Sequence, residues 1–335
     1  MMKGQVKAIY ALRVTATVTT CLFALAAAAQ PQQADVFPAR AVKIIVPFPP
    51  GGPTDVNIRI IAQRMSAEWR QPVVVENRPG ANTAIGAQAV ARAEPDGYTL
   101  LAAMDSTLVM NPAAAAGPLP YDPFKDFAAI TLTAKNTSLL TVRARDGPKS
   151  VAELIARAKA APGKLNYGAG IVITRLAGYL FGRLAGIDFQ FIPYKGSSEV
   201  VQGLLSGSVD FIIDGAAPSL PLIRSGVFRP LAKLNSRPLT QLPDLAPLAV
   251  AAGLPALDDM SSWIGLVAPA GTPRAAIDKI QREVVAIYAD AHVIERLDQA
   301  GISPVTSTPE EFDAFFRSEA VRWAKVFRDS GIRLD

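Results

Sequence analysis

Apolar and polar positions along the chain alternate between two periods, one suited to buried strands and one to helices. Val42–Val46 is a short apolar run and predicts a strand, and Val56–Trp69 carries Ile58, Ile61, Ala62 and Met65 at helical spacing. Pro72–Glu76 predicts a second strand, Thr83–Ala93 a second helix and Tyr98–Ala103 a third strand, with turns at Asn77-Arg78-Pro79-Gly80 and Pro95-Asp96-Gly97. This βαβαβ order implies a parallel sheet with right-handed crossovers. Ile130–Arg143 is a long extended apolar stretch, suited to a strand that crosses between domains. A second α/β series follows, with strands at Lys164–Tyr167, Ile187–Pro193, Val209–Asp214 and Arg229–Leu234. The helices of that series are Val151–Ala160, Thr174–Leu184, Glu199–Leu205 and Leu220–Ser225. Pro238 to Pro255 reads as a connection with little regular structure, Trp263–Ala268 as a return strand, and Pro273–Ala289 and Pro309–Asp329 as closing helices. If the return strand rejoins the first sheet, the chain forms two α/β lobes around a cleft, with 35–135 plus 260–335 as a discontinuous first lobe and 136–259 as the second.

The N-terminal segment has a different character. Lys3, Lys7 and Arg13 precede an uncharged run from Val14 to Ala29, and small residues follow, the pattern of a secretory signal peptide over residues 1–34 with cleavage after Ala29 or Ala34. The run is too short and too rich in Thr and Ala for a retained membrane anchor. Val18-Thr19-Thr20 before Cys21 is a poor lipidation signal. Removing those three charges lowers the formal net charge from +5 to +2. No basic cluster with interleaved aromatics remains, which argues against a nucleic-acid partner. Cys21 is the sole cysteine, so the exported part can hold neither a disulfide nor a thiolate metal site, and its single histidine, His292, falls in a helical pattern as a solvated or partly packed residue. No cofactor or metal is expected.

The candidate chemistry lies where the first strand meets the first helix. Pro47, Pro49, Pro50 and Pro53 stiffen that loop and donate nothing, which leaves Gly51, Gly52, Thr54 and the first helical turn as donors. A helix start with unmet N–H groups suits an anion. The competing reading is a tight turn with Asp55 as N-cap. Enzyme signatures are missing: there is no Gly-x-Ser-x-Gly elbow, no Ser-x-x-Lys pair and no His-Glu-x-x-His, and Gly163-Lys164 is followed by Leu165. Asp258-Asp259 lies in the Pro-rich connection and reads as a surface turn.

Six ordered motifs span nearly the whole exported chain. They are Pro47–Gly52 (PFPPGG), Glu76–Ala81 (ENRPGA), Pro95–Leu100 (PDGYTL), Tyr121–Phe127 (YDPFKDF), Pro193–Gly196 (PYKG) and Ala268–Pro273 (APAGTP). Together they resemble the solute receptors of tripartite tricarboxylate transporters, the Bug family. The resemblance implies a periplasmic type II binding-protein fold of two lobes joined by two strands. It also implies capture of a small carboxylate, a di- or tricarboxylate, an acidic amino acid or an aromatic acid, for membrane permease subunits by a monomeric receptor that does no chemistry. A carboxylate-binding sensor component is one alternative and a secreted enzyme another.

Carried over, the resemblance places the first loop, Pro50 to Asp55, on a ligand carboxylate, with Gly51, Gly52 and Thr54 as donors. Ser106 and Thr107 match small polar positions after the third strand, and Asp214 matches a polar position near the cleft, with a strand-end turn aspartate as its other reading. The second-lobe loop departs from the family pattern. Gly168-Ala169-Gly170-Ile171-Val172-Ile173-Thr174-Arg175 is shorter and more apolar than the usual Gly/Ser/Thr run, and Arg175 stands where histidine is common. Either Arg175 clamps a carboxylate or it points outward from the helix. Ile171, Val172 and Ile173 suit a ligand with an apolar body, or pack beneath the loop.

Overall fold

In the computed structural model, which describes residues 37–114, 117–257 and 260–330, the three strands of the first series line up as the sequence pattern predicts, and the single extended stretch expected over Ile130–Arg143 forms two strands. The predicted signal peptide, 1–34, lies outside the described residues, and so does Asp258-Asp259. The described residues from Arg40 onward form one compact unit. Among the described residues no helix is long and apolar enough to cross a membrane.

Two sheets organise that unit. The strands are β1 Val42–Val46, β2 Val73–Asn77, β3 Thr99–Met104, β4 Phe127–Asn136, β5 Ser138–Arg143, β6 Asn166–Ala169, β7 Gln190–Pro193, β8 Phe211–Gly215, β9 Phe228–Lys233, β10 Ser262–Pro269 and β11 Ile302–Pro304. The first sheet has the order β11-β4-β10-β3-β1-β2 and the second the order β7-β6-β8-β5-β9. β1 runs parallel to β2 and β3, and β10 runs antiparallel to β3 and β4. The second sheet repeats the arrangement, with β6 parallel to β7 and β8 and with β5 antiparallel to β8 and β9. In both sheets a strand that the chain brings across from the other sheet, β10 or β5, runs antiparallel to its two neighbours, and at the edge of the first sheet β11 is antiparallel to β4 as well. Because β1, β2 and β3 run one way, as do β6, β7 and β8, their carboxyl ends become the edges on which loops and helix starts collect.

The crossings lie side by side. Thr137 alone separates β4 from β5. Its carbonyl accepts from Ala216 N at 3.0 Å, and its hydroxyl accepts from Asn235 Nδ2 at 3.2 Å. The return path begins at Leu234, whose N–H donates to Ser138 O at 2.9 Å, and ends where Met260 N donates to Leu234 O at 2.9 Å. Met260 then leads into β10, which is buried along its whole length.

Several elements differ from the sequence expectation for identifiable reasons. Ser106–Met110 forms a buried π-helical turn running into the short helix Asn111–Ala114, where a loop was expected, because Asp105 Oδ1 accepts from Ser106 N at 2.6 Å and starts the turn at the strand end. The first helix is Pro53–Trp69 and begins from Gly52, since Pro53 is pre-set for the first helical position; Asp55 therefore lies inside the helix and is not its N-cap. The Pro-rich connection carries a short helix at Leu248–Ala251 and a 3₁₀ turn at Pro255–Leu257. Helix Ala291–Gln299 was expected only as a helical pattern around His292, without bounds, and β11 was not anticipated. The helix is capped by Asp290, which accepts from His292 N, and His292 itself is exposed.

The terminal helix Pro309–Ser330 closes the first sheet by setting Phe312 and Phe316 against β4 and β10, and Trp263 meets the Phe312 ring edge-on at 5.6 Å. Gly265 in β10 makes this possible, because a Cβ there would sit 2.1 Å from the Phe312 ring. The second sheet is packed by Tyr167, Phe189 and Phe211, with ring centroids 5.0 to 5.3 Å apart. Gly265→Ala is expected to lower the unfolding free energy by about 1–3 kcal/mol through overpacking, as read by urea denaturation. An unchanged midpoint would show that Phe312 does not press on β10 as described.

Candidate functional site

Six strand ends face one another across the gap between the sheets. From the first sheet come the segment Pro47–Gly52 after β1, the segment Arg78–Thr83 after β2, and Ser106 after β3. From the second come Gly170-Ile171 after β6, Tyr194–Gly196 after β7, and Gly215 at the end of β8. They enclose a cavity of about 470 Å³. Phe48, residues 79–83 and Ser106 wall it on one side; Gly170, Ile171, Val172, Tyr194 and Lys195 wall it on the other. A much narrower cavity of about 20 Å³ shares Phe48 and Ile171 with it and reaches Thr54, Asn136, Ser197 and Gly215.

The two sides touch directly. Ser198 Oγ donates to Pro50 O at 3.0 Å. Three glycines permit the approach. A Cβ on Gly215 would lie 2.6 Å from Pro53, one on Gly51 2.9 Å from Ser198 Oγ, and one on Gly196 3.1 Å from Pro49.

Helix starts converge on these cavities without side-chain caps. Helix Pro53–Trp69 starts from Gly52, Ala84–Ala91 from Thr83, Val172–Ala185 from Ile171 and Ser197–Ser206 from Gly196, and none of these N-cap side chains bonds to its helix. Three helices that start elsewhere are capped conventionally, by Ser150, Asp290 and Thr308. All four present the positive end of a helix dipole, and the starts at Pro53, Val172 and Ser197 carry unmet N–H donors, whereas Ala84 N and Ile85 N donate to Ala81 O and Gly80 O of their own loop. The loop before Ala84 adds strain: Gly80, Ala81, Asn82 and Thr83 all have positive φ, at 125°, 46°, 49° and 78°. Three of these are not glycine, a conformation that costs about 1 kcal/mol or more at each and collects at ligand sites. Asn111 Nδ2 holds the loop by donating to Asn82 O and, at 3.2 Å, to Thr83 Oγ1.

Charge is arranged to suit an anion. Lys195 lines the main cavity. Ser106 is 1% exposed and its hydroxyl has no partner among the described residues. Both amide atoms of Asn136, at the narrow cavity, are also unpartnered. Asp214 is buried just behind, where Ser197 Oγ donates to it at 2.9 Å, and burial pushes its pKa up to about 7. Burial likewise pushes Asp105 up to about 8, with the Glu319 charge adding to it. Neither is therefore a full negative charge at neutral pH. Asp55 is the opposite case. Burial alone would raise it, but hydrogen bonds from Arg59, Gly51 N and Asn77 hold it below the usual carboxylate range, so it stays ionised.

Not every residue marked in the sequence comes to the cavity. Gly52 and Thr54 border the narrow cavity, Ser106 and Gly170 the main one. Pro50 sits at the contact between the two sides through its carbonyl. Gly51 N donates to Asp55 Oδ2 at 3.0 Å, so this donor is already engaged, and Thr54 Oγ1 faces Met104 Sδ at 3.0 Å. Thr107 is buried in the π turn, where its carbonyl accepts from Tyr121 OH at 2.5 Å. Gly168 and Ala169 belong to β6 below the cavity, and Thr174 is buried, its hydroxyl donating to Ile171 O at 2.9 Å. Arg175 lies with its guanidinium 5.0 Å above the Phe191 ring and is not among the residues lining the cavity. Phe48, residues 79–83, Tyr194 and Lys195 were not marked as site residues, although two of the ordered motifs, Glu76–Ala81 and Pro193–Gly196, pointed at those strand ends.

Known proteins share this architecture. The family model described as a tripartite tricarboxylate transporter family receptor matches residues 57–332. BugT of Bordetella pertussis is 35% identical over 313 residues, which cover 93% of this chain and 95% of the relative. Among solved structures, Rpa4515 of R. palustris with adipate superposes with a TM-score of 0.84 at 32% identity, covering 89% of this chain and 99% of that one. MatC of Rhodopseudomonas palustris with bound malate gives 0.79 at 30% identity, covering 87% and 99%. The family model covers residues 57–332, well over half of the chain, and the BugT match covers 93% of it, and on this ground the chain belongs to the family of tripartite tricarboxylate transporter receptors.

Proposed function

We propose that the chain is a periplasmic receptor that closes its two lobes on a small carboxylate and delivers it to the membrane permease of a tripartite tricarboxylate transporter. The observation that carries this reading is the set of four uncapped helix starts, two from each lobe, around cavities that also hold the unpartnered Ser106 hydroxyl. Adipate and malate in the neighbouring structures are acids of the size that a cavity of about 470 Å³ admits. The signal-peptide pattern of residues 1–34 supports export, and the absence of catalytic motifs supports binding without chemistry. The division of the strands into two sheets supports lobe boundaries at 35–135 plus 260–335 and 136–259. Hydrogen bonds to a charged group contribute about 1.5–3 kcal/mol each, so three or four reach the ~8 kcal/mol of a micromolar complex after ordering costs.

Thermal unfolding of the mature protein, stripped of ligand by unfolding and refolding, tests the ligand class against malate, adipate, citrate, glutamate and benzoate. An acid at 100 times its dissociation constant should stabilise the fold by roughly 2.7 kcal/mol. No shift across the panel would remove the carboxylate assignment.

Ser106→Ala should weaken the selected acid about 10–100-fold, the equivalent of one hydrogen bond to a charged group, in calorimetric titration. Unchanged affinity would take Ser106 out of the site.

Gly215 has φ −55°, which any residue accepts, so Gly215→Val adds only bulk between the lobes. The variant is expected to keep the unliganded melting temperature and to bind at least about tenfold more weakly, because closure is held open. Wild-type affinity would show that the lobes need not close.

Asp214 is neutral below about 7 and ionises above it, placing a negative charge behind Ser197. Affinity for the acid should fall as pH rises from 6 to 9. Asp214→Asn should remove the part of the fall near pH 7 and leave a later one near pH 8 from Asp105. A variant that follows the wild-type profile throughout would dissociate Asp214 from binding.

A further inference from the structure

In the turn that leads into helix Ala84–Ala91 the protein engages the carbonyls and leaves the N–H groups alone. Gly80 O accepts from Ile85 N at 3.5 Å, and Ala81 O accepts from Ala84 N at 3.0 Å. Asn82 O accepts from Asn111 Nδ2, which also donates to Thr83 Oγ1 at 3.2 Å. The peptide bonds of the turn are trans, and a trans peptide points its N–H opposite to its carbonyl. The N–H groups of Ala81, Asn82 and Thr83 share peptide planes with those three carbonyls, so they point away from the helix start and from Asn111. None of the three has an acceptor among the described residues.

Residues 79–83 wall the main cavity, and successive N–H groups on one side of a turn form a concavity suited to an anion. A second group in the same wall points to a ligand independently. Ser106 is 1% exposed, lines the cavity, and its hydroxyl has no partner among the described residues. Asn111 ties the two features together. It follows the π turn Ser106–Met110 directly, is 7% exposed, and thus sits at the opposite end of that turn from Ser106. Tyr121 OH fixes the turn by donating to Thr107 O at 2.5 Å. Among the described residues, the hydrogen bonds from Asn111 are the ones that reach residues 80–83 from outside their own loop and helix. They hold Ala81 and Thr83 at φ of 46° and 78°, which residues with a Cβ disfavour.

Resting on the reading of this cavity as the ligand site, we propose that the N–H groups of Ala81, Asn82 and Thr83 form a carboxylate subsite and that Asn111 is the positioning residue that holds them there through the Asn82 carbonyl. An ionised carboxylate carries acceptors only, which is what three bare N–H groups and a free hydroxyl require. The strained turn keeps its N–H groups arrayed before the ligand arrives, so that binding does not have to order them.

The test follows the acid that raises the melting temperature most. On saturation of the wild-type protein, the amide signals of Ala81, Asn82 and Thr83 should move downfield. Asn111→Ala should take the φ-sensitive couplings of Ala81 and Asn82 out of the left-handed range in the ligand-free protein, and should weaken the acid at least about tenfold in calorimetric titration. Adding Ala81→Gly, which removes the side chain that opposes positive φ, should recover at least about threefold of that loss, a recovery that a residue serving only to pack would not show. Ala81→Val changes an exposed position, where a β-branched side chain disfavours positive φ, and should weaken the acid in the same way with Asn111 in place, so the test holds even if Asn111→Ala does not fold. Acid bound by the wild type while the three amides stay fixed, wild-type affinity in either variant, or a loss that Ala81→Gly does not relieve would overturn the subsite. No acid bound by the wild type would instead overturn the carboxylate reading on which it rests.

Discussion

Backbone N–H groups at helix starts must find an acceptor, and here four such starts face one another between two sheets with no side chain supplied to satisfy them. That constraint organises the rest of the molecule. Both sheets direct their parallel strands so that the carboxyl ends meet, and both use a crossing strand as the antiparallel member, so the two halves are tied at one edge and open at the other. Elsewhere the chain shows that it can cap a helix when it needs to, with Ser150, Asp290 and Thr308. Leaving the cleft helices bare transfers the acceptor role to a ligand. The ligand that suits several N–H groups and one lysine at once is a carboxylate.

The surroundings keep competing anions from filling that role. Asp55, the one ionised acid beside the first loop, is turned away from the cavity and held by Arg59, Asn77 and the Gly51 N–H. Asp214 and Asp105 lie close behind the strand ends, yet burial raises both, so that Asp105 is mostly protonated and Asp214 only partly ionised at neutral pH. Contact between the lobes includes the close approaches at Gly51, Gly196 and Gly215, the Ser198 to Pro50 hydrogen bond and the donation of Gln241 Nε2 to Asp298 O. A ligand shifts the equilibrium between open and closed lobes by its differential affinity for the two.

Much of this was legible in the sequence. Strand and helix order followed from periodicity, and the crossing near Thr137 and the return near Trp263 from long apolar stretches, because burial on both faces leaves a continuous apolar run. The helix Ala291–Gln299 was legible only as a helical pattern around His292, without bounds, because its buried face reduces to Val293 and Leu297. At the site, Ser106 and Gly170 were found, but the engagement of the Gly51 N–H was not, since it depends on which way the Asp55 carboxylate turns. The left-handed run from Gly80 to Thr83 has only Gly80 and Asn82 to announce it, and Ala81 and Thr83 adopt the strained conformation because Asn111, distant in sequence, holds the loop. Arg175 illustrates the same limit: its partner is the Phe191 ring on the next strand, which no local pattern around residue 175 reveals.

The central claim is that helix starts from both lobes hold one anion together. The most direct measurement is the change in backbone amide ¹H and ¹⁵N shifts on saturation with the acid that stabilises the protein most. The account predicts concurrent downfield shifts at the first-turn amides of the helices beginning at Pro53, Ala84, Val172 and Ser197, with a single dissociation constant for all. Shifts confined to one lobe, or absent from these amides while the acid binds elsewhere, would contradict it.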